Sequence, residues 1–156
     1  DLSLIKKDQI MTELEPDITL YADADQVRQI LWNLFNNAWE ADSEIVEVYA
    51  SLIKSNLSVD LWQIVVADRG QGFPSTLEDL EDIFRPFFTQ KEQGTGLGLS
   101  LCRALAERQG GSLEVNRRKG GGAIFYLCLP AKPFDSPPLQ IITDSLTDDH
   151  NTKGED

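Results

Sequence analysis

The sequence predicts an α/β domain on three observations. Residues 27–41 carry apolar side chains at helical period. Two pairs of segments rich in Val, Ile and aromatic residues, 45–54 with 61–67 and 112–118 with 123–129, are each joined by a short polar or glycine-rich link. A second helical stretch, 97–109, lies between the pairs, so helices and strands interleave along the chain. Of the 156 residues, 41% are hydrophobic and 26% charged. That is enough apolar material for one sizeable core, and it excludes a wholly disordered chain or a fibrous repeat.

Residues 10–22 read as two short extended segments around the turn signal Glu15-Pro16-Asp17. Asp23 offers a carboxylate cap, and Gln26 stands three residues later in the capping-box position. In the helix that follows, Val27, Ile30, Leu31, Leu34, Phe35, Ala38 and Ala41 share one face. Segments 45–54 and 61–67 pair as a hairpin across the polar loop Ser55–Asp60. The second strand ends in the glycine turn Asp68-Arg-Gly-Gln-Gly-Phe-Pro74. The acidic residues 75–83 form one or two short helical turns, and 84–96 a loop. A helix from Leu97 to Gln109 stops at Gly110-Gly111. Strands 112–118 and 123–129 meet across Gly120-Gly121-Gly122. From Ala131 on, Pro, Ser, Thr and Asp dominate, which divides the chain into a domain, 1–130, and a flexible acidic tail or linker, 131–156.

The net charge of −12 argues against a duplex nucleic-acid partner, which calls for a basic face. Charge is uneven, however. Arg85, Lys91, Arg103, Arg108, Arg117, Arg118 and Lys119 face only three acidic residues between 85 and 119, a local net of +4. Either a small anionic ligand sits there or these are scattered solvated charges. The longest apolar run, Ala123–Leu129, falls far short of the roughly 20 residues of a membrane span. The first residues form neither a signal nor a transit peptide, and the missing initiator Met suggests a piece of a longer protein. Cys102 and Cys128 make no disulfide framework or metal site and read as small buried hydrophobes. His150, the single histidine, lies in the polar tail with no partner pattern.

Four constellations could carry chemistry. Asn33, Asn37 and Glu40 stack in one row bordering the apolar helix face, and an Asn carbonyl oxygen suits Mg²⁺. They could equally be boundary residues. Asp68 is a strand-end carboxylate able to accept from an exocyclic amine, with Gly70 and Gly72 allowing close approach of a flat ligand; a plain tight turn would look the same. Gly94, Gly96 and Gly98 alternate into a helix start, which makes either an anion cradle or a bare hinge. The spacing matches neither a Walker loop nor the dinucleotide fingerprint. Phe84, Phe87 and Phe88 precede them and either pack as a hinge or meet a partner, and Lys91 is placed to reach a phosphate or to stay solvated. No Ser–His–Asp or Cys–His arrangement exists, so a nucleophile within this chain is not expected.

In order and together these segments resemble the catalytic ATP-binding domain of sensor histidine kinases over about residues 10–130. Gln29-Ile-Leu-Trp-Asn-Leu-Phe-Asn-Asn-Ala-Trp-Glu-Ala41 is similar to that family's asparagine box. Asp68-Arg-Gly-Gln-Gly72 resembles its first glycine box, Ile83-Phe-Arg-Pro-Phe-Phe-Thr-Gln-Lys91 its phenylalanine box, and Gly94-Thr-Gly-Leu-Gly-Leu99 its second glycine box. The Phe-Phe-Thr-x-Lys and Asn-Ala-x-x-Ala forms resemble the nitrogen-regulation branch. Arg85, Gln90 and Trp39 depart from the usual residues and put fine lid geometry in question.

The resemblance implies the Bergerat-type two-layer sandwich shared with Hsp90, gyrase B and MutL. That is a mixed, mostly antiparallel sheet of about five strands packed under about three helices, with a nucleotide lid. It implies ATP and Mg²⁺ as cofactors. Asn37 would hold Mg²⁺ with Asn33 in support, and Asp68 would accept from the adenine amine beside Gly70, Gly72 and Phe73. Gly94, Thr95, Gly96, Leu97, Gly98 and Leu99 would line the lid and phosphates, with Lys91 approaching them and Thr89 as a further lid residue. Glu40 and Ala41 complete the expected nucleotide set. In the ATPase cousins a glutamate base sits four residues before the metal Asn. Here that position is Asn33, which cannot take a proton from water, so hydrolysis by this chain alone should be slow. The acceptor histidine would come from a dimerisation domain outside this chain, with a response regulator downstream. The fragment would be monomeric, cytoplasmic and not inserted in a membrane, and the full-length protein a homodimer with a possible membrane anchor. Two rivals are a degenerate nucleotide-binding module and a protein-serine kinase of the anti-sigma-factor type.

Overall fold

Alternation along the predicted hairpin decides which side of the sheet is covered. In β2 (Val46–Ile53), Val46, Val48 and Ala50 are buried whereas Tyr49 and Ser51 are exposed. In β3 (Leu61–Asp68), Trp62, Ile64, Val66 and Asp68 are buried on the same side. The computed structural model describes residues 9–15, 17–54, 59–89 and 94–132. Its other elements are β1 (Ile10–Leu14), α1 (Ala24–Glu40), a 3-10 helix (Leu80–Phe84), α2 (Gly98–Arg108), β4 (Ser112–Arg117) and β5 (Ala123–Pro130). The five strands form one sheet in the order β1-β2-β3-β5-β4. The β1–β2 pair is parallel and the other three are antiparallel, with Val46 opposite Asp68 and Ala67 opposite Ile124. The helices cover one face, as the mixed two-layer sandwich requires.

Helix α1 starts where the cap was read. The Asp23 carboxylate accepts from the backbone N–H groups of Asp25 (2.9 Å) and Gln26 (3.1 Å). The reciprocal half of the capping box does not form. The Asp23 N–H instead donates to Gln109 Oε1 at 2.6 Å, and Gln26 turns to the Asp23 carboxylate. The start of α1 is thereby tied to the residue after α2. Val27, Ile30, Leu34 and Ala38 fill the core, Leu31 and Phe35 are half-buried, and Ala41 is the C-cap.

Helix α2 ends as predicted. Gly110 takes φ +75°, its N–H bonds to Glu107 O, and the Gly111 N–H bonds to Ala106 O, the paired bonds of a Schellman motif. The acidic stretch gives one short 3-10 helix, capped by Asp79 accepting from the Glu81 N–H at 2.9 Å. Of the two extended segments expected before α1, only β1 is a strand. Residues 18–22 run along the core on Ile18, Leu20 and Ala22, with the Tyr21 N–H bonded to Pro130 O. Cys102 is buried as expected, but Cys128 is only half-buried, because it falls on the face of β5 that no helix covers. The fold reaches at least Ala131, whose N–H bonds to Asp60 O. His150 and residues 133–156 lie outside the described residues. Among the described residues no helix is long and apolar enough to cross a membrane.

Candidate functional site

A pocket of about 620 Å³ opens between α1, the end of β3 and the segment leading into α2. Asn33, Asn37 and Glu40 line it as one row, as their spacing of four and three dictates. Asn36 joins them; the sequence reading passed over it, although it stands three residues after Asn33 and four before Glu40. Ala41 continues the wall. The opposite side is Asp68, Gly72 and Phe73, with Ala123 and Phe125 of β5 beneath. These two β5 residues were read only as strand and core, because their register with β3 carries no local signal. Thr89, Gly94, Thr95, Gly96, Gly98 and Leu99 close the remaining side together with Ile83 and Phe88.

Two predicted residues are placed differently. Leu97 points away from the pocket and is exposed. Gly70 does not line it either. A Cβ there would collide with the Ala41 carbonyl, and the Gln71 N–H donates to that carbonyl at 2.8 Å. Gly70 thus lets the chain pass beneath the end of α1. Gly72, at φ +67°, borders the pocket and packs on the backbone of Gly122. Lys91 lies outside the described residues.

Asp68 is constrained from several sides. Its side chain shares the core side of β3, and the residue is 5% exposed. Burial pushes its carboxyl above the ordinary range, against the opposing pull of the Gly70 and Ala123 N–H groups and the Arg118 charge. The Gly70 bond is 2.8 Å. The β4–β5 turn clasps this residue. A Cβ on Gly122 would collide with the Asp68 carbonyl and stand 2.9 Å from Oδ1, so only glycine fits there. Such a carboxylate, aimed into a half-apolar pocket, is an acceptor for one amine donor.

The phosphate end is built by α2. Its N-terminus has no side-chain cap, so its first N–H groups stay available beside Gly94, Gly96 and Gly98. Gly98 brings this end against α1, within 3.5 Å of Asn33 Oδ1 for an added Cβ. Cys102 lies below, fully buried, and burial pushes its thiol up to about 11.

The phenylalanines divide their roles. Phe84 is buried under the Arg103 guanidinium, 3.5 Å from the ring centroid, and Phe88 lines the pocket. Phe87 is 76% exposed at φ +67°, held by its N–H to Gly96 O at 2.9 Å. Among the described residues of the basic stretch, Arg85, Arg103, Arg108, Arg117, Arg118 and Lys119 all stay off the pocket wall. Arg103 bonds Glu81 and the Leu113 carbonyl. Arg117 bonds the carbonyls of Phe73, Pro74 and Leu77, and Arg118 bonds Glu47. These arginines join elements rather than hold a ligand.

Known proteins share this fold and much of this sequence. Residues 22–133 match the family described as histidine kinase-, DNA gyrase B- and HSP90-like ATPase. The sensor protein FixL of Bradyrhizobium diazoefficiens is 35% identical over 124 residues, covering 79% of this chain and 24% of that protein. The sensor histidine kinase ZraS of Escherichia coli is 33% identical over 136 residues, covering 83% and 28%. The chain therefore spans about a quarter of the length of these relatives. Among solved structures, the catalytic domain of histidine kinase ThkA superposes with a TM-score of 0.62 at 32% identity, covering 83% of this chain and 85% of that one. Full-length ShkA in complex with AMPPNP gives 0.60 at 29% identity, covering 78% and 25%.

Proposed function

Since this chain belongs to the histidine kinase-, DNA gyrase B- and HSP90-like ATPase family, we propose that it is the catalytic domain of a two-component sensor histidine kinase. It would transfer the γ-phosphoryl group of Mg-ATP to a histidine on a dimerisation domain outside this chain. The observation that carries this reading is one pocket uniting the buried Asp68 carboxylate, a row of asparagines and the uncapped glycine-rich start of α2. The two sensor kinases, identical to it at about a third of the aligned positions, support it.

Asp68 accepts from the adenine amine, and Gly72 and Phe73 border the base. Gly94, Thr95, Gly96, Gly98 and Leu99, with Thr89, hold the triphosphate against the N-terminus of α2, where backbone N–H groups bind anionic oxygens. Lys91 adds a cation at the phosphates. The asparagine row fits Mg²⁺ by its chemistry, since Asn33, Asn36 and Asn37 present hard neutral oxygens and Glu40 a charged one on a single pocket wall. Asn37 would hold the ion, with Asn33 in support; when bound, the ion neutralises charge on the phosphates. The attacking group is an imidazole from the neighbouring domain. This chain's contribution is positioning and electrostatics, and no proton needs to be taken by it. With an amide at position 33, water near the γ-phosphate finds no base there, so hydrolysis is slow against phosphotransfer. Residues beyond Lys132 are read as a tail outside the domain, and the protein as cytoplasmic, with a response regulator as the downstream acceptor.

Calorimetric titration of the chain with ATP, with and without Mg²⁺, tests this beside Asp68→Asn. The expected result is micromolar binding that weakens about tenfold or more in the variant, since a buried carboxylate that loses a charge-assisted bond forfeits roughly 1.5–3 kcal/mol. Absence of ATP binding to the unmodified chain would overturn the assignment.

A further inference from the structure

On the uncovered face of the sheet, directly behind Asp68, lies a cluster that the catalytic reading does not use. Glu47 occupies β2 between the core residues Val46 and Val48, so its side chain points away from the helices, yet the residue is only 8% exposed. Both of its carboxylate oxygens are engaged. Oε1 accepts from Arg69 Nε (3.1 Å) and Nη2 (3.0 Å), and Oε2 from Arg118 Nη2 (2.6 Å) and the Tyr49 hydroxyl (3.2 Å). Arg118 is itself largely buried, and its Nη1 donates to the Asp68 carbonyl at 3.2 Å.

The position of that carbonyl gives the bond its meaning. The β3–β5 ladder ends at Ala67 opposite Ile124, so Asp68 is the first residue past that pairing. Its pairing with Val46 of β2 still holds one edge, but on the β5 edge the ladder no longer fixes the carbonyl, and a tilt of that peptide plane would carry the side chain with it. Here Arg118 supplies the donor where the ladder stops. On the following peptide the Arg69 N–H donates to Ser43 Oγ at 3.0 Å. The Arg69 and Arg118 side chains then converge on one carboxylate. Backbone on both sides of the Asp68 carbonyl carbon is thus tied, through Arg118 and Glu47 to β2 and through the Arg69 N–H to Ser43 just ahead of β2.

We propose that Arg118, anchored by Glu47, is a positioning residue for base selection, holding the end of β3 so that the Asp68 carboxylate meets an exocyclic amine. This rests on the reading of Asp68 as the acceptor for the adenine amine. If Arg118 is lost, the carboxylate is free to move and the amine bond weakens. A purine bearing a 6-oxo group never made that bond and loses nothing. The consequence is a narrower preference for ATP over inosine triphosphate, which carries a 6-oxo group and an N1–H in place of the amine and bare N1, rather than uniformly weaker binding.

The test is calorimetric titration of ATP and inosine triphosphate into the whole chain, its Arg118→Met, Arg118→Lys and Glu47→Gln variants, and Asp68→Asn, with thermal melts alongside. Methionine keeps much of the stem volume, and Arg69 still pairs with Glu47, so Arg118→Met should fold. The expected result is an ATP preference reduced about tenfold in Arg118→Met, the loss of one well-made hydrogen bond. Lysine, with a single nitrogen, cannot reach the Asp68 carbonyl and Glu47 together and should rescue only in part. Glu47→Gln should shift the preference in the same direction by less, and serves in place of Arg118→Met if that variant does not fold. An unchanged preference in folded Arg118→Met, or equal losses for both nucleotides, overturns the proposal. If Asp68→Asn leaves the preference intact, the reading of Asp68 fails and the proposal falls with it. A preference lost in Asp68→Asn but kept in Arg118→Met and Glu47→Gln sinks the positioning role alone.

Discussion

Gly122 and Cys102 show how single residues are committed by what surrounds them. Gly122 sits at φ +95° with the Asp68 backbone against its Cα. Gly122→Ala adds strain of about 1–3 kcal/mol for the positive φ alone, and the new methyl group also presses on Asp68. The expected outcome is a lowered melting temperature together with weakened ATP binding. Recovery of full affinity in a folded variant would show that the turn does not brace the carboxylate. Cys102 is fully buried, with its thiol pushed up to about 11. It should resist alkylation at neutral pH until the chain unfolds, whereas the half-buried Cys128 is the thiol that reacts in the native state. Mass spectrometry after brief alkylation reads both.

At the scale of elements, what matters is how the loop before α2 is held. The Arg103 guanidinium stacks on Phe84 and donates to the Glu81 carboxylate and the Leu113 carbonyl, binding the 3-10 helix to α2 and β4. Phe87 rides outward from this anchored turn, its N–H bonded to Gly96 O, and is 76% exposed. An exposed aromatic outside the pocket suits contact with another protein rather than with the nucleotide. Phe87→Ser is therefore expected to leave ATP affinity within about twofold, well below the tenfold of 1.4 kcal/mol, while slowing phosphotransfer to a separately supplied histidine domain. Equal rates for both proteins would refute the assignment. Strand β2 contributes a pH dependence. Burial raises the Glu47 carboxyl, but the bonds from Arg118 and Arg69 outweigh it and hold the group below its ordinary value of 4.5. A depressed carboxylate adds stability that is present above pH 4.5 and is lost as pH falls through the lower native value. Glu47→Gln should flatten the acid limb of the stability profile below that pH. An unchanged limb in denaturant melts across that range would show that the pair contributes nothing.

For the molecule as a whole, the pocket is made by contributions from α1, β3, β5 and the start of α2, so nucleotide binding should report on the entire fold. A ligand at a hundred times its Kd stabilises by about 2.7 kcal/mol, a rise of about 10 °C in melting temperature for a domain of this size. ATP should produce such a rise, and Asp68→Asn should blunt it. A chain ending after Lys132 should melt at the same temperature and bind ATP equally well, if residues beyond it form a tail. A lower melting point would extend the domain past that residue.

Much of this was legible from order along the chain. Helical period placed α1, glycine pairs placed the end of α2, and strand composition placed both hairpins, because each of these signals is local and acts within a few residues. The Asn33-Asn37-Glu40 row and the glycines before α2 were also visible, since helix geometry alone brings them together. Tertiary structure decided the rest. The Gln26 half of the capping box lost to Gln109, which lies 86 residues from Asp23 in the chain yet supplies the Oε1 that its N–H takes. Residues 18–22 stayed out of the sheet, although their composition resembles that of a strand. Gly70 serves the end of α1, and only Gly72 of the pair borders the pocket. The +4 stretch dissolved into arginines that bind carbonyls and carboxylates of distant elements. Sequence spacing by itself determined which residues share a face. Which partners those faces meet depended on strand register and on the clasp of the β4–β5 turn around Asp68, contacts between segments tens of residues apart for which no local pattern exists.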